Sequence, residues 1–290
     1  MDDVQPNYYN PSTIERACRL LADADHPAIV AGGQSLTLSL EDNEESPESL
    51  VDINSIDELG NIRRADGKLS LGATVTHSQI ATSEIVSKEM PALTTAASEI
   101  ADQQIRNAGT IGGTTAFRYH TADYPPVLVA SGAEILSRSK TEQRKRSAFD
   151  YFLNPDGNNL DQDELITSIQ VPIGNSNQGL AYEAFSYPGH TRSLVNTAAS
   201  LTIIDGKCEN ATLVVGSVDE NPQTISAATD LLVGSSVSTN RLAEVAKHTG
   251  ESVTITRREE VSADYLRSIV VEKTKEVMQT AQARVEESNE

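Results

Sequence analysis

Tryptophan is absent, aromatic residues make up 4% of the chain, and lysine occurs only eight times. Cysteine occurs twice, at Cys18 and Cys208, too few for an iron–sulfur cluster and in no CxxC pair. Both are expected to be buried thiols in a reducing cytoplasm. No apolar run approaches the ~20 residues of a membrane span, and Met1-Asp2-Asp3 carries neither the basic region nor the apolar run of a secretory signal. A cytoplasmic protein with no membrane span is therefore expected. Seventeen glycines and eleven prolines in 290 residues exclude a collagen-like chain. Basic residues are scarce as well, 23 against 42 acidic, for a net charge of -19. A field of that sign works against binding nucleic acid or an anionic membrane.

The acids are spread along the chain, with local densities at Glu41–Glu48, Asp156–Glu164 and Glu286–Glu290. Such a surface repels itself at low salt and is screened at molar ionic strength, where the Debye length is ~3 Å. A halophilic protein from a salt-rich cytoplasm is expected, the alternative being an acidic mesophilic one. The length suffices for one large or two modest domains with proper cores.

Ser12-Thr13-Ile14-Glu15 reads as a capping box, with Ser12 as cap, for a helix that recurs through Ile14, Cys18 and Leu21. Ala28–Ala31, Leu50–Ile53, Leu69–Ala73, Ala133–Leu136 and Leu165–Val171 read as strands. Thr76 to Gln79 is a second capping box, and Pro91–Ala101 and Val127–Ala130 read as helices. The turn-rich Pro172–Gly179 is the best boundary. Beyond it, Leu194–Ile204 and Ala211–Val218 suggest a strand pair around Asp205-Gly206. Ala227–Leu232, Arg241–His248 and a run from about Glu259 to Ala283 suggest helices. Strands and helices alternate irregularly, so the fold class is α+β.

Two segments share a design: Ala31-Gly32-Gly33-Gln34-Ser35 and Thr110-Ile111-Gly112-Gly113-Thr114. Paired glycines let successive amides converge on a phosphate oxygen, and Ser or Thr adds a hydroxyl. Two such loops facing each other suit a diphosphate, and Arg106 is the one nearby cation in the sequence. Taken singly, each is equally an ordinary tight turn. Neither matches GxGxxG or GxxxxGK[ST], and HExxH, GxSxG and zinc-type cysteine clusters are missing. No catalytic nucleophile or metal site is expected. His77, His120 and His190 are isolated and read as surface or capping residues.

AGGQSL at Ala31–Leu36, LVDI at Leu50–Ile53, LGATVTH at Leu71–His77, QIRNAGTIGG at Gln104–Gly113 and ADYPPVLVASGAE at Ala122–Glu134 resemble the FAD-binding medium subunits of molybdenum hydroxylases. That family includes the flavoprotein subunits of carbon monoxide dehydrogenase, xanthine dehydrogenase and aldehyde or aromatic hydroxylases. The resemblance implies a PCMH-type N-terminal FAD-binding region of two α/β subdomains, 1–56 and 57–176, followed by a C-terminal α+β domain, 177–290. It implies FAD as cofactor, with Ala31, Gly32, Gly33, Gln34, Ser35 and Leu36 and then Thr110, Ile111, Gly112, Gly113 and Thr114 around the pyrophosphate. Arg106 and Asn107 would shape the second loop, and Asp123 would lie at the ribityl–flavin region. It also implies a small partner with two [2Fe–2S] clusters and a large molybdopterin-containing partner, in a heterotrimer or a dimer of heterotrimers. In such an oxidoreductase this subunit takes electrons from the clusters onto FAD and passes them to an external acceptor. The competing reading is a scaffold subunit of the same kind of complex that holds FAD weakly or not at all.

The chain departs from the family pattern at Ser39–Asp42, Phe117–Thr121, Ala184, Ser186–Arg192 and Val261–Arg267. Large side chains at Phe117–Thr121 would either crowd the flavin or stack near it.

Overall fold

The computed structural model describes residues 6–41, 46–154, 159–187, 191–256 and 261–288. His190, the start of the last helix at Glu259, and parts of the acidic stretches at 42–45, 155–158 and 289–290 lie outside the described residues.

The first unit holds β1 (Asn7–Tyr9), α1 (Ile14–Asp23), β2 (Pro27–Val30), α2 (Gln34–Glu41) and β3 (Ser49–Asp52). Its three strands are parallel in the order β1-β3-β2. Ile14, Ala17, Cys18 and Leu21 form the buried stripe of α1, the i, i+3, i+4, i+7 spacing of one helical face. The cap of α1 is Thr13, whose side chain accepts from the Arg16 amide. Ser12 stands one residue too early, because the helix begins at Ile14.

The second unit runs through β4 (Ile62–Ala65), β5 (Lys68–Gly72), α3 (His77–Thr82), α4 (Glu84–Glu89), α5 (Pro91–Glu99), α6 (Gln103–Ala108), α7 (Ile111–Phe117) and α8 (Tyr124–Ala130). It ends with β6 (Glu134–Arg138), β7 (Gln143–Ser147), α9 (Ala148–Leu153) and β8 (Leu165–Pro172). Five antiparallel strands are ordered β4-β5-β8-β6-β7. Thr76 and Gln79 make both bonds of the expected capping box on α3. The β6–β7 hairpin reaches back to α1 through Arg138–Glu15 at 2.6 Å and Lys140–Asp23 at 2.7 Å. Cys18 Sγ donates to the Arg138 carbonyl at 3.4 Å in the same seam. Exposed pairs of this type are solvent-screened and add little to stability.

The third unit comprises β9 (Gln178–Phe185), β10 (Val195–Ile204), β11 (Lys207–Gly216), β12 (Gln223–Thr224), α10 (Ser226–Thr229), α11 (Thr239–Ser252) and α12 (Ala263–Ser288). The sheet is antiparallel, β12-β11-β10-β9. Asp205 and Gly206, both at positive φ (50° and 74°), close the β10–β11 hairpin, as a two-residue turn of the strands' own twist requires. Strand alternation divides this sheet between two cores. Tyr182, Ala198 and Val214, neighbours across three strands, join the core of the first two units. Ala181, Ala199 and Leu213, one residue out of phase, pack with Val270, Val277 and Met278 of α12. With both faces covered, Val195–Leu201 of β10 is buried throughout. An N-terminal α/β region thus docks on one face of the sheet of a C-terminal α+β domain.

Candidate functional site

A cleft of about 560 Å³ separates the first unit from the second, within the ordinary range for a small-molecule site. Ala31, Gly32, Gly33, Gln34, Ser35 and Leu36 line it together with Thr110, Gly112, Gly113 and Thr114. Both glycine pairs open helices, which their reading as turns did not foresee. Gly32 and Gly33 directly precede α2, with Gly33 at φ +69°, and Gly112 and Gly113 lie in the first turn of α7.

The two loops touch, and glycine is what allows it. A Cβ on Gly32 would overlap the Ala108 carbonyl oxygen and come within 2.8 Å of Gly109 Cα. A Cβ on Gly112 would come within 2.6 Å of the Ala73 carbonyl oxygen. Asn54, itself held by Asp52, donates to the Ala31 carbonyl at 2.8 Å and fixes the first loop from behind.

The two helix starts differ in what their amides do. At α7 the Ile111 amide donates to the Val75 carbonyl and the Gly112 amide to the Ala73 carbonyl, each at 3.0 Å. The Gly113 amide donates to Thr110 Oγ1 at 3.1 Å. Those donors hold the loop onto the segment after β5. At α2 the Thr37 amide donates to the Gly33 carbonyl, while the amides of Gln34, Ser35 and Leu36 make no hydrogen bond to another described residue. A helix's first-turn amides lack intrahelical partners and carry partial positive charge. Among the described residues, no Lys or Arg lines the cleft. Partial positive charge on its wall comes from this backbone fringe, with the hydroxyls of Ser35, Thr110 and Thr114 beside it.

Acidic groups on the wall are neutralised. Glu164 receives two bonds from the Arg146 guanidinium, at 2.7 and 2.9 Å, with further donors from the Ser137 hydroxyl and the Asp161 amide. Burial alone would raise its carboxyl, but these donors outweigh it and hold the group below the usual range.

Four expected site residues do their work outside the cleft lining. Arg106 donates to the carbonyls of Ile100 and Ala101, at 2.8 and 2.7 Å, holding a turn whose Ile100 is part of the wall. Asn107 Oδ1 accepts from Ser78 and Gln103, both at 2.7 Å, tying α6 to α3. Asp123 is buried at the start of α8, where its Oδ1 accepts from Tyr182 Oη of β9 at 2.5 Å and from Ser193 Oγ, just before β10, at 2.7 Å. Asn196 Nδ2 approaches the same oxygen at 3.3 Å. Burial pushes the Asp123 carboxyl up, against the pull of those donors. Ile111 is fully buried under the second loop.

The large residues at the end of α7 and just beyond it stack on one another at the rim. Phe117 lines the cleft with 48% of its surface exposed and lies parallel to Tyr119, ring centres 5.8 Å apart. Arg192 sits over Tyr119, 4.4 Å from its ring centre.

His77, expected at the surface or as a cap, is buried at 3% exposure and lines the cleft floor. Burial, aided by the Arg106 charge, lowers its pKa from 6.5 to about 4. The folded value lies below the unfolded one, so protons bind preferentially to the unfolded chain. Stability is therefore lost as pH falls from 6.5 toward 4, by about 3 kcal/mol from this group alone. Urea midpoints at pH 7 and pH 4.5 should converge more closely in His77→Gln than in the wild type; an equal spread would contradict this assignment.

Among the described residues, no helix is long and apolar enough to cross a membrane. Residues 3–174 match the model for the FAD binding domain in molybdopterin dehydrogenase, and residues 180–281 match the CO dehydrogenase flavoprotein C-terminal domain. The chain is 35% identical over 243 residues to the 6-hydroxypseudooxynicotine dehydrogenase complex subunit alpha of Paenarthrobacter nicotinovorans, covering 83% of this chain and 82% of that one. It is 31% identical to the nicotine 6-hydroxylase medium subunit of the same organism, covering 96% and 97%. In structure it resembles a chain of quinoline 2-oxidoreductase from Pseudomonas putida 86, with TM-score 0.89, 28% identity and coverage of 98% and 100%. A chain of carbon monoxide dehydrogenase from Hydrogenophaga pseudoflava gives TM-score 0.89 at 26% identity, covering 98% and 99%. With both family models matched in order and these likenesses spanning nearly the whole length, the chain belongs to the FAD-binding medium subunits of the molybdopterin and CO dehydrogenase flavoprotein family.

Proposed function

We propose that this chain holds FAD in the cleft between its glycine loops and serves as the electron-transfer subunit of a molybdenum hydroxylase. The observation that carries this reading is the fringe of unpartnered amides at Gln34–Leu36, lining the same cleft as the Thr110–Thr114 turn. A diphosphate is the ligand group that such a fringe suits, since each charge-assisted hydrogen bond contributes ~1.5–3 kcal/mol. Ala31–Leu36 would cradle one side and Thr110, Gly112, Gly113 and Thr114 the other. Ile111, Arg106 and Asn107 support the second loop from beneath, and Asp123 ties the unit to the C-terminal domain. Ile29, Ile100 and Leu165 add apolar wall for the ring systems of the nucleotide. When bound, FAD supplies the redox chemistry, taking electrons from partner [2Fe–2S] clusters and releasing them to an external acceptor.

In this reading the chain assembles with a small subunit carrying two [2Fe–2S] clusters and a large molybdopterin-containing subunit, as a heterotrimer or its dimer. The three sheets support a division into 1–56, 57–176 and 177–290. The substrate pocket belongs to the large partner. The charge of -19 fits a halophilic, cytoplasmic setting.

Protein purified in molar salt is expected to absorb near ~450 nm, the band of oxidised flavin, or to gain that band on titration with FAD. A titration without binding would favour the scaffold reading instead.

A further inference from the structure

Beneath the second loop, three residues distant in sequence meet in a line. Tyr124 Oη lies 2.9 Å from His77 Nδ1, and His77 Nε2 lies 3.4 Å from Thr114 Oγ1. Tyr124 is fully buried, and among the described residues its hydroxyl has His77 as its one hydrogen-bond partner. The ring is held in place by its own backbone, whose amide donates to the Gly109 carbonyl at 3.0 Å. A Cβ on Gly109 would stand 2.8 Å from Nε2, so the glycine leaves room for the imidazole.

The direction of these bonds follows from satisfying every hydrogen. A buried hydroxyl with a single partner donates to it, because accepting would leave its own proton without an acceptor in apolar surroundings. Nδ1 is then the acceptor. A neutral imidazole with a bare Nδ1 carries its hydrogen on Nε2, and that nitrogen faces Thr114. Thr114 Oγ1 accepts from the ring, which leaves its own hydrogen free to turn into the cleft that Thr114 lines. With the opposite tautomer, Thr114 would have to donate downward to the ring and would offer the cleft only lone pairs, which repel an anion.

We infer that Tyr124, His77 and Thr114 form an oriented hydrogen-bond relay that makes the Thr114 hydroxyl a donor to an anionic phosphate group in the cleft. His77 is thus a positioning residue, acting through Thr114. The inference rests on the FAD reading for the identity of the ligand, but the polarity of the relay is a property of the protein itself.

The test uses the full chain, labelled with ¹⁵N-histidine, the His77 signals being assigned by their loss in His77→Gln. The expected spectrum at pH 7 has a protonated Nε2 and a bare Nδ1 at His77. FAD affinity is then titrated in five proteins: wild type, Tyr124→Phe, Thr114→Val, Thr114→Ser and the Tyr124→Phe/Thr114→Val double variant. Thr114→Val should weaken FAD about 10-fold, a single charge-assisted hydrogen bond, and Thr114→Ser should lose far less. Tyr124→Phe should weaken FAD in the Thr114 background and add nothing in the Thr114→Val background, since the relay acts only through that hydroxyl. A protonated Nδ1, or equal losses for Tyr124→Phe in both backgrounds, would overturn the relay. A wild type that takes up no FAD would overturn the flavin reading, and the relay would then be decided by the tautomer and by titrating the same variants with inorganic pyrophosphate.

Discussion

Gly32→Ala is expected to strip the cleft of FAD. The added methyl would overlap the Ala108 carbonyl oxygen and press on Gly109 Cα at 2.8 Å, so every atom it meets first belongs to backbone. No side chain can rotate away. Relief requires the first loop to lift from the second, and the apposition of the two is what shapes the site. Forcing one methyl into such a contact costs on the order of 1–3 kcal/mol, which corresponds to up to ~100-fold in affinity. Gly60→Ala is the matched control. Its Cβ would meet only Thr74 Oγ1, at 3.7 Å, and FAD affinity should stay within ~2-fold of wild type. Absorbance titration of both variants checks the prediction, and equal affinities would mean that loop contact does not shape the site.

Asp123→Ala should be strongly destabilising although it lies outside the cleft. The carboxylate is the acceptor that joins α8 to the C-terminal sheet through Tyr182, Ser193 and Asn196. Its removal leaves the fully buried Tyr182 hydroxyl without that bond and opens a small cavity between the two cores. An orphaned buried donor costs ~1–3 kcal/mol, and loss of a buried network adds to it, for a total of about 3–4 kcal/mol. Asp123→Asn keeps an oxygen where Oδ1 stands and should recover most of that loss. Urea unfolding of the three proteins reads this out; an Asn variant as weak as the Ala variant would show that the charge, and not the acceptor, matters.

How much of this was legible in the sequence depends on how far apart the cooperating residues lie. The capping box at Thr76 and Gln79 needs only three residues of spacing, and it formed as read. The Asp205-Gly206 turn is equally local. The helix α2 was not legible, because Leu36, Leu38 and Leu40 alternate with polar residues in a strand-like period of two. In the fold Leu38 stays 55% exposed, so no buried stripe was available to betray the helix. The short α7, with two glycines and two threonines in seven residues, has weak intrinsic propensity. It forms because its first amides are bonded to Ala73, Val75 and Thr110.

The glycine pairs could be read as phosphate loops, but their inequality could not. Whether an amide is spent or free depends on carbonyls far upstream, at Ala73 and Val75. His77 reads as a surface or capping residue for the same reason, its partners Thr114 and Tyr124 standing 37 and 47 residues away. Asp123 marks the same limit. The motif that flags it says nothing of Tyr182 and Ser193, which arrive from the C-terminal domain 59 and 70 residues on.

The most direct measurement is a crystal structure of the full chain grown with FAD in molar salt. The predicted result is electron density for the diphosphate within hydrogen-bond reach of the Gln34, Ser35 and Leu36 amides and the Thr114 hydroxyl. Density for FAD on another surface, or phosphates lying away from the start of α2, would contradict it.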